Sequence, residues 1–283
     1  MTPSRTPLVA YMRTLLAGGG RALCILYAVA FCILLLLPIL VVVPVSFSQG
    51  EIIEFPPSGY SLRWYESIAS EGTWLASMAV SFKIAIVAAL ISTVAGLLIG
   101  LATFRFGQLD QSTRLLFLLP LLIPHVTLAT GLFVALLEWR LLGNWVILAI
   151  ANAALSLPIT MVLFIGAYQA MDRNLWTAAS TLGARTWQIL GKVILPLSAI
   201  AIVIALIMSF EKAWDEVTLA VFIGPSVTPP LPSAMYSELL QQSTPIVGAV
   251  STTLLAITVL LITVVGVLRR RAEAATRQPA DDA

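Results

Sequence analysis

Charge is what this sequence has least of. Only 11% of its 283 residues are Asp, Glu, Lys or Arg, against about 25% in an ordinary soluble domain. With 59% hydrophobic residues, the composition excludes a soluble domain and requires a membrane protein. Cysteine is almost missing: Cys24 and Cys32 stand in one apolar run, about 12 Å apart along a helix axis and too far for a disulfide within it. No metal-ligand spacing accompanies them, so they read as small apolar lining. There is one histidine, His125, in LLIPHVTLATG. It serves either as a proton relay or, as lone membrane histidines more often do, as a hydrogen-bond donor to a neighbouring carbonyl. No G-x-x-x-x-G-K-[ST] phosphate loop, H-E-x-x-H or G-x-S-x-G occurs. No catalytic residue is identified, and the chain is expected to hold no ATPase site of its own. An embedded enzyme would need several polar groups gathered at one depth.

What fills the chain instead is long apolar runs. About 20 helical residues cross a hydrocarbon core of roughly 30 Å. Six runs of that kind occur: Ala22–Val45, Trp74–Thr103, Leu115–Leu137, Trp145–Tyr168, Ile194–Phe210 and Ile246–Leu268. They are continuous rather than alternating, which argues for helices and against a barrel. The first is too long for a signal-peptide core and no small-x-small cleavage site follows it, so it is expected to stay as an anchor. Lys83 lies within the second run, where its stem either snorkels or faces protein.

Placing the N-terminus inside puts twelve of the sixteen basic residues on the inner side and leaves Arg63, Arg140 and Lys212 outside. Nine of the fourteen acids then lie outside. The expected organisation is an all-α membrane protein of six transmembrane helices with both termini cytoplasmic. It forms one domain over 1–283: an inner tail 1–21, a core 22–268 with an inner loop 169–193, and a polar tail 269–283. Prolines 38, 44, 120, 124, 158 and 196 fall where spans bend or break.

The inner loop carries the most unusual pattern. Asn174 is placed as an N-cap before Leu175-Trp176. Leu175, Ala179, Leu182, Thr186 and Ile189 make one helical stripe, and Trp176, Ala179, Gly183, Trp187 and Leu190 lie beside it. A face with two tryptophans and almost no charge needs a cover, either the bilayer surface or another protein. On the outer side, SFEKAWDEV sets Glu211 and Asp215 one turn apart with Trp214 beside them and Glu216 next. Reckoned from Ile194, Glu211 stands about 26 Å up, near the outer boundary. These acids are either wetted residues at a helix end or a vestibule that attracts a cation.

Thr177-Ala178-Ala179, Gly183 three residues on, and Val193-Ile194-Leu195-Pro196 after nine more resemble the EAA-x3-G-x9-I-x-L-P loop of permease subunits in binding-protein-dependent ABC importers. SLRWYESI, IPHVTLATGL and SFEKAWDEV are similar to the spermidine/putrescine branch, in particular its second permease subunit type. The resemblance implies a type I importer permease fold in a prokaryotic inner membrane. It implies a second, non-identical permease, two cytoplasmic ATP-binding subunits that use ATP and Mg, an outer solute-binding protein, lipid around the bundle and no nucleic acid. It also implies a coupling loop made by Trp176, Thr177, Ala178, Ala179, Leu182, Gly183 and Trp187, with docking held mainly by Trp176, Leu182 and Gly183. Glu211, Trp214, Asp215 and Glu216 become the substrate pathway, most suited to a polyamine or related organic cation. Opine, aminophosphonate, sulfate and iron branches share similar motifs. Thr177 departs from the pattern, which has Glu there; with Asn174 as cap it is the third helical residue, where a Glu could close a capping box. The alternative from another class, an ion-driven secondary transporter or channel, calls for inverted repeats and several mid-membrane ionisable residues, and neither is clear in the chain.

Overall fold

The structure is a computed structural model that describes residues 19–107, 109–172 and 174–259. Among these the only strand-like pairing is one isolated antiparallel bridge, Ser48 with Tyr60; the rest of the regular structure is helical. Three helices are each long and apolar enough to cross a membrane, and five spans result if each of two sharply bent helix pairs is one. The chain divides into two compact units, 1–68 with 242–283, and 69–241.

In the first unit, α1 (Gly19–Ser46) contains Pro38 and Pro44 and exposes its apolar side chains from Leu23 to Leu40. That is how a helix looks when lipid or another subunit is its solvent. Burial begins only at its end, where Val45 and Ser46 pack. Ser46 Oγ lies 2.7 Å from Tyr65 Oη, and the Trp64 indole N–H donates to Ser48 O at 2.9 Å. These bonds pin the start of α2 (Arg63–Glu71), within which the chain passes into the second unit. The apolar helix Ile246–Val259 completes the described part of the first unit. The remainder of the last expected span, residues 1–18 of the inner tail and the polar tail lie outside the described residues.

The second unit is built on α3 (Thr73–Phe106) and α6 (Trp145–Gln169). Small residues let their backbones approach. A Cβ on Gly96 would lie 2.8 Å from the Thr160 carbonyl carbon, and one on Gly100 2.7 Å from Phe164 Cβ. Beside this seam the Thr160 hydroxyl donates to Ser92 O at 2.9 Å. Lys83, whose surroundings the sequence left open, faces protein: its Nζ stands 3.5 Å from the Trp145 ring centroid. Against this pair lies α10 (Ala199–Trp214), through Ala85, Ala88, Ala153 and Ala213.

Two expected spans are not straight. Leu115–Leu137 is α4 (Gln111–Leu122) and α5 (His125–Glu138), bent by 95°. Pro124 lacks an N–H and disfavours helix in Ile123 before it, so the chain leaves the helix there. Ile194–Phe210 is likewise split. The segment Thr186–Leu197 meets α10 at 69° about Ser198, two residues after Pro196. The stretch between the fifth and sixth expected spans is folded as well: α11 (Val217–Ile223) and α12 (Leu231–Gln241) follow α10. Leu219, Ala220 and Ile223 of α11 are buried with Ala129 and Leu136 of α5.

Candidate functional site

The coupling-loop residues lie on α7 (Asn174–Thr181) and α8 (Thr186–Ile189). Asn174 is not the cap. It is the first residue of α7, and the Asp172 carboxylate accepts from its N–H at 2.9 Å, satisfying one of the amides a helix start leaves free. Thr177 is therefore the fourth helical residue and not the third, the position from which a Glu closes the box. Gly183 ends α7 at φ 82°. The Ala184 N–H returns to Ala179 O at 3.1 Å and the Gly183 N–H to Ser180 O at 3.0 Å, a Schellman ending that favours glycine. Beyond the turn the Gln188 side chain accepts from the Arg185 N–H at 2.8 Å and starts α8.

This break changes which residues share a face. Leu182 is 88% and Trp187 63% exposed, and Thr177, Ala178 and Gly183 are exposed with them. Trp176 and Ala179 turn the other way, against the cluster of Phe104, Phe164, Tyr168, Ile189, Ile194 and Ala205. Trp176, which the resemblance puts among the docking residues, is half-buried: its ring packs on the bundle with the Arg105 guanidinium 5.3 Å from its centroid. The loop then enters the membrane part through a π-helical turn, Leu190–Ile194, where the Leu195 N–H reaches back five residues to Leu190 O.

The pathway acids separate into two kinds. Glu211 and Asp215 are exposed, and Asp215 closes the end of α10. Trp214 stacks on Phe210, centroids 5.7 Å apart, with Phe82 edge-on to both. Glu216 is buried, its side chain 4% exposed. One carboxylate oxygen, Oε1, accepts from the Thr218 and Leu219 N–H groups at 3.0 and 3.3 Å and so starts α11. The other, Oε2, lies 3.1 Å from His125 Nδ1 and 3.6 Å from Lys212 Nζ. His125 therefore meets a carboxylate and not the carbonyl expected of it. Its place explains why: it is the first residue of α5, directly after the 95° bend.

α11 carries the chain onward from Glu216, and its last residue accepts from the Gly143 N–H at 3.2 Å, in the turn between α5 and α6. Glu216 lies a seven-residue helix, about 10 Å, in from that turn. The reckoning from Ile194 takes the helix as straight, whereas the chain bends by 69° at Ser198. A buried carboxylate with a lysine and a histidine on it can hold elements together; exposed carboxylates beside an aromatic ring can draw a cation. Among the described residues no group of three or more His, Cys, Asp or Glu is arranged to hold a metal.

The His125–Glu216 contact was not read from sequence, since the two residues are remote in the chain. The only local signals were a histidine directly after a proline break and an i, i+4 Lys212/Glu216 spacing. The Arg105–Trp176 contact left no signal at all.

The family of binding-protein-dependent transport system inner membrane components matches residues 92–278. The chain is 27% identical over 239 residues to the spermidine/putrescine transport system permease protein PotC of Haemophilus influenzae, covering 84% of this chain and 92% of that protein. It is 26% identical over 227 residues to the putrescine permease PotI of Escherichia coli, covering 77% and 80%. A putative 2-aminoethylphosphonate permease, PhnV of Salmonella paratyphi A, is 29% identical over 248 residues, covering 86% and 92%. Among solved structures, a chain of a bacterial ABC transporter that imports the acidic polysaccharide alginate shares the fold, with a TM-score of 0.59 at 18% identity over 88% of this chain and 96% of that one. With its broken spans, its EAA-type loop and a family match over most of its length, the chain belongs to the inner-membrane permease components of binding-protein-dependent ABC importers.

Proposed function

We propose that this permease is one half of the membrane pathway of an ATP-driven importer for a small organic cation of the polyamine type. It spans a prokaryotic inner membrane six times, as a single permease domain with both termini cytoplasmic. It pairs with a second, non-identical permease, is driven by two cytoplasmic ATPase subunits and receives cargo from an outer binding protein. The chain performs no chemistry; ATP and Mg belong to the ATPases. Closure of the ATPases moves the loop 169–193, the two permease bundles rock, and cargo passes between them.

The observation that carries the cargo class is the similarity, over 84% of the chain, to a spermidine/putrescine permease. The exposed Glu211 and Asp215 beside Trp214 support it, because a carboxylate and an aromatic face replace part of an ammonium ion's hydration. Leu182 and Trp187, exposed at the loop, are the apolar anchors that a groove on an ATPase takes up.

Purification of the tagged chain from the cells that make it tests the assembly; an ATPase is expected to co-purify. Uptake of radiolabelled putrescine into vesicles holding the complex tests the cargo, and Asp215→Asn is expected to slow it. Uptake by the lone chain, driven by an ion gradient and without ATP, would overturn the proposal in favour of a secondary transporter.

A further inference from the structure

Two helix breaks meet at Glu216. One is the 95° bend after which His125 begins α5, and the other is the corner between α10 and α11. Capping α11 needs one acceptor oxygen, and Oε1 supplies it to the Thr218 and Leu219 N–H groups; Asp, Asn or Ser would do as well. Oε2 is surplus to that task. It is spent on His125 of α5 and Lys212 of α10, with the side chain shut away from solvent. A carboxylate buried in a membrane bundle is costly unless paired, so the arrangement implies a function for the pairing. Asp215, next in the chain, is exposed on the other side of the same corner.

We propose that Glu216, clamped by His125 and Lys212, is a positioning residue for transport: it fixes the α10–α11 corner to the break in the third span and thereby sets where Trp214 and Asp215 face. The clamp rests on the proposed function for its transport consequence but not for its geometry. Cargo meets Asp215; Glu216 never touches it.

Glu216→Gln keeps an oxygen for the α11 cap and removes the charge, so α11 stays formed while the clamp opens. In vesicles holding the whole complex, Glu216→Gln and His125→Ala are expected to raise the half-saturating putrescine concentration about tenfold, with little change in maximal rate or in the amount of complex assembled. His125→Lys, which places a nitrogen donor beside Oε2 again, restores most of the loss. Because Glu216 acts through Asp215, adding Glu216→Gln to Asp215→Asn adds nothing further. A cargo-free measurement accompanies these. With Cys24 and Cys32 replaced by serine, an Asp215→Cys probe is labelled by a water-soluble maleimide at a rate that Glu216→Gln shifts severalfold, while thermal melting is unchanged. A labelling rate that does not move overturns the clamp, as do effects of the two substitutions that multiply. Absence of putrescine uptake by the unsubstituted complex, with the labelling shift intact, overturns the polyamine assignment and leaves the clamp standing.

Discussion

At the scale of the residue, Gly96 of α3 lies directly against Thr160 of α6. Gly96 admits no Cβ, because one would fall 2.5 Å from Thr160 Oγ1 and 2.8 Å from its carbonyl carbon. Gly96→Ala is expected to destabilise the protein by about 1–3 kcal/mol, as overpacking does, read as a lower melting temperature in detergent. Thr177 is the opposite case. It is exposed, Asp172 already satisfies an amide at the start of its helix, and its carbonyl accepts from the Ser180 and Thr181 hydroxyls without help from its own side chain. Thr177→Glu is therefore expected to change stability by less than about 0.5 kcal/mol and to leave transport-coupled ATPase activity intact or higher; a clear loss of that activity counts against this account. Gly183 was legible in the sequence, since the spacing of its motif is local. Glu216 was not, because its neighbour His125 arrives from another helix, and a one-dimensional reading grouped it with Asp215 although the two sit on opposite sides of a corner.

At the scale of the element, the three unbroken spans α1, α3 and α6 follow the hydropathy of the chain to within a few residues. The two broken ones do not. The prolines that break them stood in plain view, but how far a helix bends at a proline depends on what satisfies the freed carbonyls, and that is decided by neighbours. The loop misled for a related reason. Periodicity counts on through Gly183, whereas the backbone turns there and splits the two tryptophans between opposite faces. Trp187→Ala is expected to weaken co-purification of the ATPase severalfold with the melting temperature unchanged. Trp176→Ala is expected to lower the melting temperature, because its ring is packed on the bundle. The link before α4 carries a smaller switch. The Thr113 hydroxyl and amide, bonded to Asp110 at 2.6 and 3.0 Å, hold its carboxyl below the usual carboxylate value. A folded-state value depressed in this way contributes stability that is whole above the ordinary carboxylate pKa and is lost as pH falls through the depressed one. Fraying of α4 at acid pH, followed by amide exchange at Thr113, should be absent in Asp110→Asn, which still caps but does not titrate in this range.

At the scale of the whole molecule, composition and spacing were enough for the class of protein, because both survive without tertiary detail. The burial of Glu216 beside the exposed Asp215 was not readable, since it depends on His125 and α11 folding against it. Exposed carboxylates on one bundle give half of a lined passage, so the lone chain in vesicles is expected to show no putrescine uptake above empty vesicles, with or without ATP. The attachments of the loop bear on how such a bundle moves. It is fastened to the end of α3 through Arg105 on Trp176 and to α10 through the π-helical turn and the bend at Ser198. A displacement of Leu182 and Trp187 is therefore felt at two helices at once, and neither can be shifted by the loop without the other.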